Sequence, residues 1–148
     1  MNQRKPLDTS RIMELGIDDD RLTEVAPLLA ALDGIGPDEV RRIYREGYAT
    51  GLRLSVLYDD DVCVAAAAWR VIATFQWGRK LQVEDLVTNE DSRSRGHGAA
   101  LIEYLEARAR VAGCSVIDLD SGVQRSCAHR FYLRHGFDIT KHHFHRDL

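Results

Sequence analysis

Leu86-Val87-Thr88-Asn89-Glu90-Asp91-Ser92-Arg93-Ser94-Arg95-Gly96-His97-Gly98-Ala99-Ala100 joins two segments of opposite periodicity through a polar, glycine-containing loop. Before it, Arg79 to Thr88 alternates as a strand, with Leu81, Val83, Asp85 and Val87 on one face and Gln82, Glu84 and Leu86 on the other. After it, Leu101, Ile102, Leu105 and Ala109 recur at helical spacing. Glu106 and Arg110 form a favourable i,i+4 pair, and Gly113 stands just past the helix end. Glycines at a strand-to-helix junction let the backbone approach a ligand closely. The free amides of the first helical turn then point at it, with the helix dipole behind them. Arg93 and Arg95 add full positive charges, so the junction reads as a phosphate or diphosphate cradle, the plain alternative being a glycine-rich turn with no ligand. Gly98 is followed by Ala99-Ala100, not by Lys-Ser/Thr, which argues against a nucleotide-hydrolysing P-loop. A dinucleotide fold would need a third glycine and would open the chain with this loop.

Outward from the loop, the order of elements becomes readable. Arg11 to Ile17 is expected as a first strand. Asp18-Asp19-Asp20 then starts a helix carrying Leu22, Val25, Leu28, Leu29 and Leu32, with Pro27 as a kink. After Gly34-Ile35-Gly36, Pro37 opens a second helix whose Val40, Ile43, Tyr44 and Tyr48 face inward. Leu52 to Tyr58 and Val62 to Thr74 make a hairpin around Asp59-Asp60-Asp61, and Trp77-Gly78 turns the chain into the strand before the loop. Downstream, Val116 to Leu119 is a strand. Ser126 caps a short helix with Phe131, Tyr132 and Leu133, Gly136 ends it, and Phe137 to Phe144 is a last strand. Strand–helix–strand in the second half implies a parallel pairing beside an antiparallel hairpin in the first.

The 148 residues suit one domain, expected over 11–148 behind a loose arm at 1–10. With 45% hydrophobic and 29% charged residues the chain is globular in composition, not disordered. A net charge of −3 disfavours a nucleic-acid coat and suits a cationic small molecule. Cys63, Cys114 and Cys127 lack a C-x-x-C spacing and read as thiols in a reducing compartment. The N-terminus has no hydrophobic signal region, and the longest apolar run, Val62 to Trp69, is only strand length. A cytoplasmic protein without a membrane partner is expected.

Arg93-x-x-Gly96-x-Gly98 followed by Ala99-Ala100-Leu101 resembles the acetyl-CoA pyrophosphate signature of the GNAT superfamily of N-acetyltransferases. The resemblance extends through Leu86-Val87-Thr88 and through Ala128-His129-Arg130-Phe131-Tyr132-Leu133-Arg134-His135-Gly136-Phe137, covering about residues 79–148. It implies a single α/β (α+β) domain with a mixed, mostly antiparallel sheet, splayed in the middle and flanked by helices. It also implies a bulge in the strand over Leu81 to Thr88. The backbone of Leu86, Val87 and Thr88 would hold the acetyl and pantetheine groups of acetyl-CoA. The loop residues Arg93, Ser94, Arg95, Gly96, His97, Gly98 and Ala99 would hold the pyrophosphate. Tyr132 would protonate the departing thiolate. Where many members carry an asparagine, this chain has Arg125, which replaces that cofactor contact with a charge. Many relatives pair as homodimers.

Amine acetylation needs a neutral amine, a polarised thioester carbonyl and a proton for sulfur. Glu84, sharing a face with Leu86, is the first candidate base and resembles the acidic residue of polyamine-type members. Asp85, on the opposite face, would orient backbone or bind substrate charge. The plain alternatives are a core tyrosine and a solvated strand carboxylate. Direct transfer in a ternary complex to a primary amine of a small molecule is expected, with an acyl-Cys127 route as a minor option. A silent acyl-CoA-binding module and a protein N-terminal or lysine acetyltransferase are the rivals. Trp69, Phe75 and Trp77 could line the acceptor pocket, though hairpin packing is the simpler reading. His143 and His145 share the expected last strand, but no further ligand joins them and no metal is expected. The carboxylates lean toward a cationic acceptor. The basic tail, similar to that of aminoalkylphosphonate-acetylating members, leans toward an anion-bearing amine.

Overall fold

The computed structural model describes residues 11–148, and the arm expected at 1–10 lies outside them. The elements in chain order are β1 (Ile12–Glu14), α1 (Leu22–Asp33), α2 (Pro37–Tyr48), β2 (Arg53–Asp59), β3 (Val62–Thr74), β4 (Gly78–Thr88), α3 (His97–Val111), β5 (Val116–Leu119) and α4 (Ser126–Arg134). The strands form one sheet in the order β1-β2-β3-β4-β5. The first four pair antiparallel, and β5 joins β4 in parallel. No helix among the described residues is long and apolar enough to cross a membrane.

Local chemistry explains the hairpins. Asp59 pairs with Val62, and the two residues between them, Asp60 and Asp61, both take positive φ. A two-residue loop of that hand matches the twist of its strands, and aspartate tolerates it better than most side chains. β3 is the central strand, buried on both faces, so its alternation gives way to the run Ala65-Ala66-Ala67-Ala68. These small side chains separate two cores. On one face Leu22, Val25, Leu28 and Tyr44 of α1 and α2 pack on Leu54, Val56, Ala66 and Val87. On the other, Leu101, Leu105 and Ala109 of α3 pack on Ala65, Trp69, Leu81 and Val83.

Tyr44 ties the first core together. Its hydroxyl donates to the Leu15 carbonyl at 2.6 Å and accepts from the Leu54 amide at 3.2 Å. Burial pushes its phenol up to about 12, so it stays neutral and able to donate. Tyr44→Phe strands both backbone groups and is expected to cost about 1–3 kcal/mol. Urea denaturation should show a lower midpoint with an unchanged slope. An unmoved midpoint would contradict the reading.

Four expectations are corrected. The strand expected at Phe137 to Phe144 does not form: residues 138–148 are exposed and have no main-chain hydrogen bond to another described residue. A strand exists by its ladder, and alternation alone does not supply the partner. Ser126 is the first helical residue of α4, not its cap; Arg125 holds that position and makes no side-chain capping bond. Ile43, expected in the core, is 39% exposed. Finally, β4 does not keep one alternation along its length. Ala68 pairs with Asp85 and Trp69 with Val83, so Glu84 has no opposite number and forms a bulge. Leu81 and Val83 face α3, whereas Val87 joins the opposite core.

Candidate active site

The bulge and the short β5 together open a cleft. β5 pairs with β4 only from Lys80 to Val83, after which β4 runs on alone to Thr88. The freed edge is selective. Asn89 donates its amide to the Val64 carbonyl at 2.7 Å. By the alternation of antiparallel pairs, Val87 and Asp85 then also bond to β3, while Leu86 and Thr88 turn their main-chain groups outward into the gap. Of the three backbones expected to hold a ligand, those of Leu86 and Thr88 are therefore placed for it. Val87 spends its backbone on β3 and its side chain on the core.

Beyond Thr88, Asn89 caps a single 3-10 turn, Glu90–Ser92, by accepting from the Asp91 amide. The loop then takes positive φ at Ser94 (68°) and again at Gly96 (83°), which is the N-cap of α3. No side chain caps this helix. The main-chain N–H groups of Ser94, Arg95, Gly96, His97, Gly98 and Ala99 have no acceptor among the described residues. A run of amides curled by alternating backbone hand, at the positive end of a 15-residue helix, has the chemistry to accept an anion. Arg95 is exposed and makes no ion pair with a described residue, whereas Arg93 sits 3.5 Å from Glu90. Gly98 serves packing as well: a Cβ there would stand 3.2 Å from the Phe131 ring, so the missing side chain lets α4 approach α3. The Nε2 atom of His97 is buried without a partner among the described residues.

The cleft between β4 and β5 leads from this loop to Tyr132. A space of about 40 Å³ is lined by Glu84, Asp85, Leu86, Asp120, Ser121, Arg125 and Tyr132, among others. Tyr132 is set by edge contacts with Phe131 and Phe137 at centroid distances of 5.3 and 5.7 Å. Its hydroxyl makes no hydrogen bond to a described residue. Burial raises its phenol above the ordinary tyrosine value, and the Arg125 guanidinium pulls partly the other way. The Ser121 hydroxyl is buried in the same space, without a partner among the described residues.

Glu84 and Asp85 line this space and also a larger cavity of about 510 Å³ between α1, α2 and the sheet. The expectation that they look to opposite sides is therefore corrected, because the bulge turns both toward the cavity side. Glu84 is held by Arg70, which also donates to the Thr50 hydroxyl at 2.7 Å. Sequence reasoning passed over Arg70. Its signal was a lone cation inside the otherwise apolar run Val62 to Ala73.

Other expected residues lie elsewhere. Trp69 is buried against α3 with its indole N–H on Ser55, Trp77 lies under Lys80 and Lys141, and Phe75 is fully exposed. None of them lines the larger cavity. Cys127 is exposed, with Arg130 donating to its sulfur at 3.2 Å, and lines neither space. His143 stands 3.4 Å from Asp120, and no group of three metal-ligating side chains occurs among the described residues.

The comparisons with known proteins agree with this geometry. The model of the acetyltransferase (GNAT) family matches residues 25–137. An uncharacterized N-acetyltransferase of Bacillus subtilis is 36% identical over 96 residues, which is 64% of this chain and 68% of that protein. An aminoalkylphosphonate N-acetyltransferase of Salmonella typhimurium is 33% identical over 67 residues, 45% of this chain and 44% of that one. Among solved structures, an aminoglycoside N-acetyltransferase in complex with CoA superposes with a TM-score of 0.80 at 18% identity, covering 92% of this chain and 93% of that one. With its family match, its splayed sheet and its uncapped loop-to-helix amides, this chain belongs to the GNAT acetyltransferase family and is an acyltransferase.

Proposed function

We propose that the protein transfers the acetyl group of acetyl-CoA to a primary amine of a small molecule, by direct attack in a ternary complex. The observation that carries the reading is the run of six amides from Ser94 to Ala99 without an acceptor among the described residues, beside a cleft lined by Tyr132, Glu84 and Asp85. In this reading the diphosphate of acetyl-CoA lies on those amides with Arg95 beside it. The pantetheine arm bonds to Leu86 and Thr88 as a short added strand. The relative solved with CoA and the relatives named for small amine acceptors support the assignment.

The chemistry follows from the placement. The amine nitrogen attacks the thioester carbonyl, the C–S bond breaks, one nitrogen proton passes to Glu84 or Asp85 directly or through water, and Tyr132 gives its proton to the thiolate. The Ser121 hydroxyl offers one more donor to the reacting groups. The protein is further proposed to work in the cytoplasm and to pair with a second copy. Exposed Ile139 and Phe144, in a tail with no main-chain partner among the described residues, support that pairing, and sedimentation equilibrium tests it.

Purified protein, acetyl-CoA and an amine mixture should release free CoA, detected with a thiol reagent, together with amides identified by mass. Bound CoA without release would instead make the protein a silent module. Glu84→Gln should lower kcat by about 10²-fold and change the pH profile of turnover. An unchanged profile takes Glu84 out of the role and leaves Asp85.

A further inference from the structure

The geometry points to an acceptor of a particular kind: a primary amine carried on an apolar body, an alkyl chain or aryl ring, seated between α1 and α2 with its nitrogen at the β4 bulge. The inference rests on the acetyl-transfer reading and deepens it. The cavity of about 510 Å³ is of ligand size, and it shares Leu32, Glu84 and Asp85 with the small space at Tyr132. An occupant therefore has one end at the reaction cleft and the rest between the helices.

One side of that interior is apolar, and Thr50, Glu46 and two arginines, Arg42 and Arg70, lie on the rest of its wall. Leu29 and Leu32 of α1, Ile35 of the connector, and Ile43 of α2 form that side, and Leu54 with Ala68 form its floor. Ile43 is 39% exposed although it belongs to the inward stripe of α2, because the cavity and not a neighbouring side chain lies in front of it. An apolar wall left facing water beside a reactive cleft fits an apolar guest.

The charges in the wall sort the rivals. Its two guanidinium groups are already engaged: Arg42 by Glu39 and Glu46, Arg70 by Glu84 and Thr50. A phosphonate or other dianion would have to displace these pairs to find a cation, and burying it unpaired is costly. The wall's further carboxylate, Glu46, is already paired with Arg42, so a second ammonium along the chain would have to displace that guanidinium. Glu84 and Asp85 stand where the two spaces meet; Glu84 bonds Arg70 through Oε1, and a carboxylate accepts more than one bond, so one ammonium is still attracted there before it loses its proton and attacks.

The test is a matched acceptor series with the full-length protein and saturating acetyl-CoA: n-alkylamines from propyl to octyl, phenethylamine, 1,6-diaminohexane and 2-aminoethylphosphonate. kcat/KM is expected to rise about fourfold per added methylene until the cavity is filled. The diamine and the phosphonate should fall well below hexylamine. Ile43→Asp, a change at an exposed position, should flatten the series. A series independent of chain length, or a preference for the phosphonate or diamine, overturns the inference while leaving acetyl transfer intact. Calorimetric titration of the same amines into the CoA-loaded protein separates the two readings. Chain-length-dependent binding without any acetylated product keeps the apolar site and sinks the transferase reading. Neither heat nor product with any amine sinks both.

Discussion

Tyr132→Phe should lower kcat by about 10²–10⁴-fold while leaving the affinity for CoA within about twofold, the range set by general-acid catalysis. The variant removes one oxygen and no packing. The ring contacts with Phe131 and Phe137 remain, and the hydroxyl has no hydrogen-bond partner among the described residues to lose. Stability should therefore hold, which separates this result from misfolding. The pH dependence carries a second test. Burial raises the phenol above its ordinary value and Arg125 opposes this, so the protonated acid persists through neutral and mildly alkaline pH. A group raised in this way is fully in its acid form below its unfolded value near ~10 and is lost only above it. Turnover should accordingly show no Tyr132-dependent fall below that point. A phenylalanine variant with full activity would leave the tyrosine as a core residue.

Gly96→Val should weaken CoA binding by about 10-fold or more. Gly96 sits at φ 83° as the N-cap of α3, where an L side chain costs roughly 1–2 kcal/mol and a β-branched one is a true outlier. Relieving that strain swings the amides of His97, Gly98 and Ala99 away from their common focus. The arginines should separate in the same assay. Arg95→Ala is expected to lose several-fold affinity, and more at low salt, because its exposed charge has no ion-pair partner among the described residues. Arg93→Ala should lose less, since Glu90 already neutralises part of that charge. Both effects should shrink as salt rises, whereas the Gly96 effect should not. Equal losses for the two arginines would contradict the asymmetry.

What the sequence revealed, and what it hid, divides along the range of the forces involved. The loop and α3 were legible because their signals are local. A glycine can take φ 83° without steric cost, and Leu101, Leu105 and Ala109 mark one helix face by spacing alone. The hairpin turn at Asp60 and Asp61 is local in the same sense. The family resemblance implied a bulge over Leu81 to Thr88, and one forms there; but its place is a relation between two strands, and nothing in Arg79 to Thr88 alone says that Ala68 will face Asp85 while Trp69 faces Val83. Pattern reading therefore put Glu84 and Asp85 on opposite faces. The expected last strand failed for a related reason, since its alternation carries no information about a partner. Ile43 shows the limit most plainly. Its position on α2 says that it turns inward, but only packing decides whether it meets a side chain or an open cavity.

The site is thus built on a division of labour along one strand. Before the bulge, β4 is an ordinary member of the sheet with β3 and β5 on either side. After it, one edge stays in the sheet and the other is free, and that change of role brings the loop amides, the free strand edge and the cavity between α1 and α2 to one place.

The most direct measurement is isothermal titration calorimetry of the full-length protein with coenzyme A. The account predicts heat of association at one site per chain in the micromolar range, weakened by Gly96→Val. No heat at millimolar coenzyme A would contradict it, and the roles given to Tyr132, Glu84 and Asp85 would fall with it.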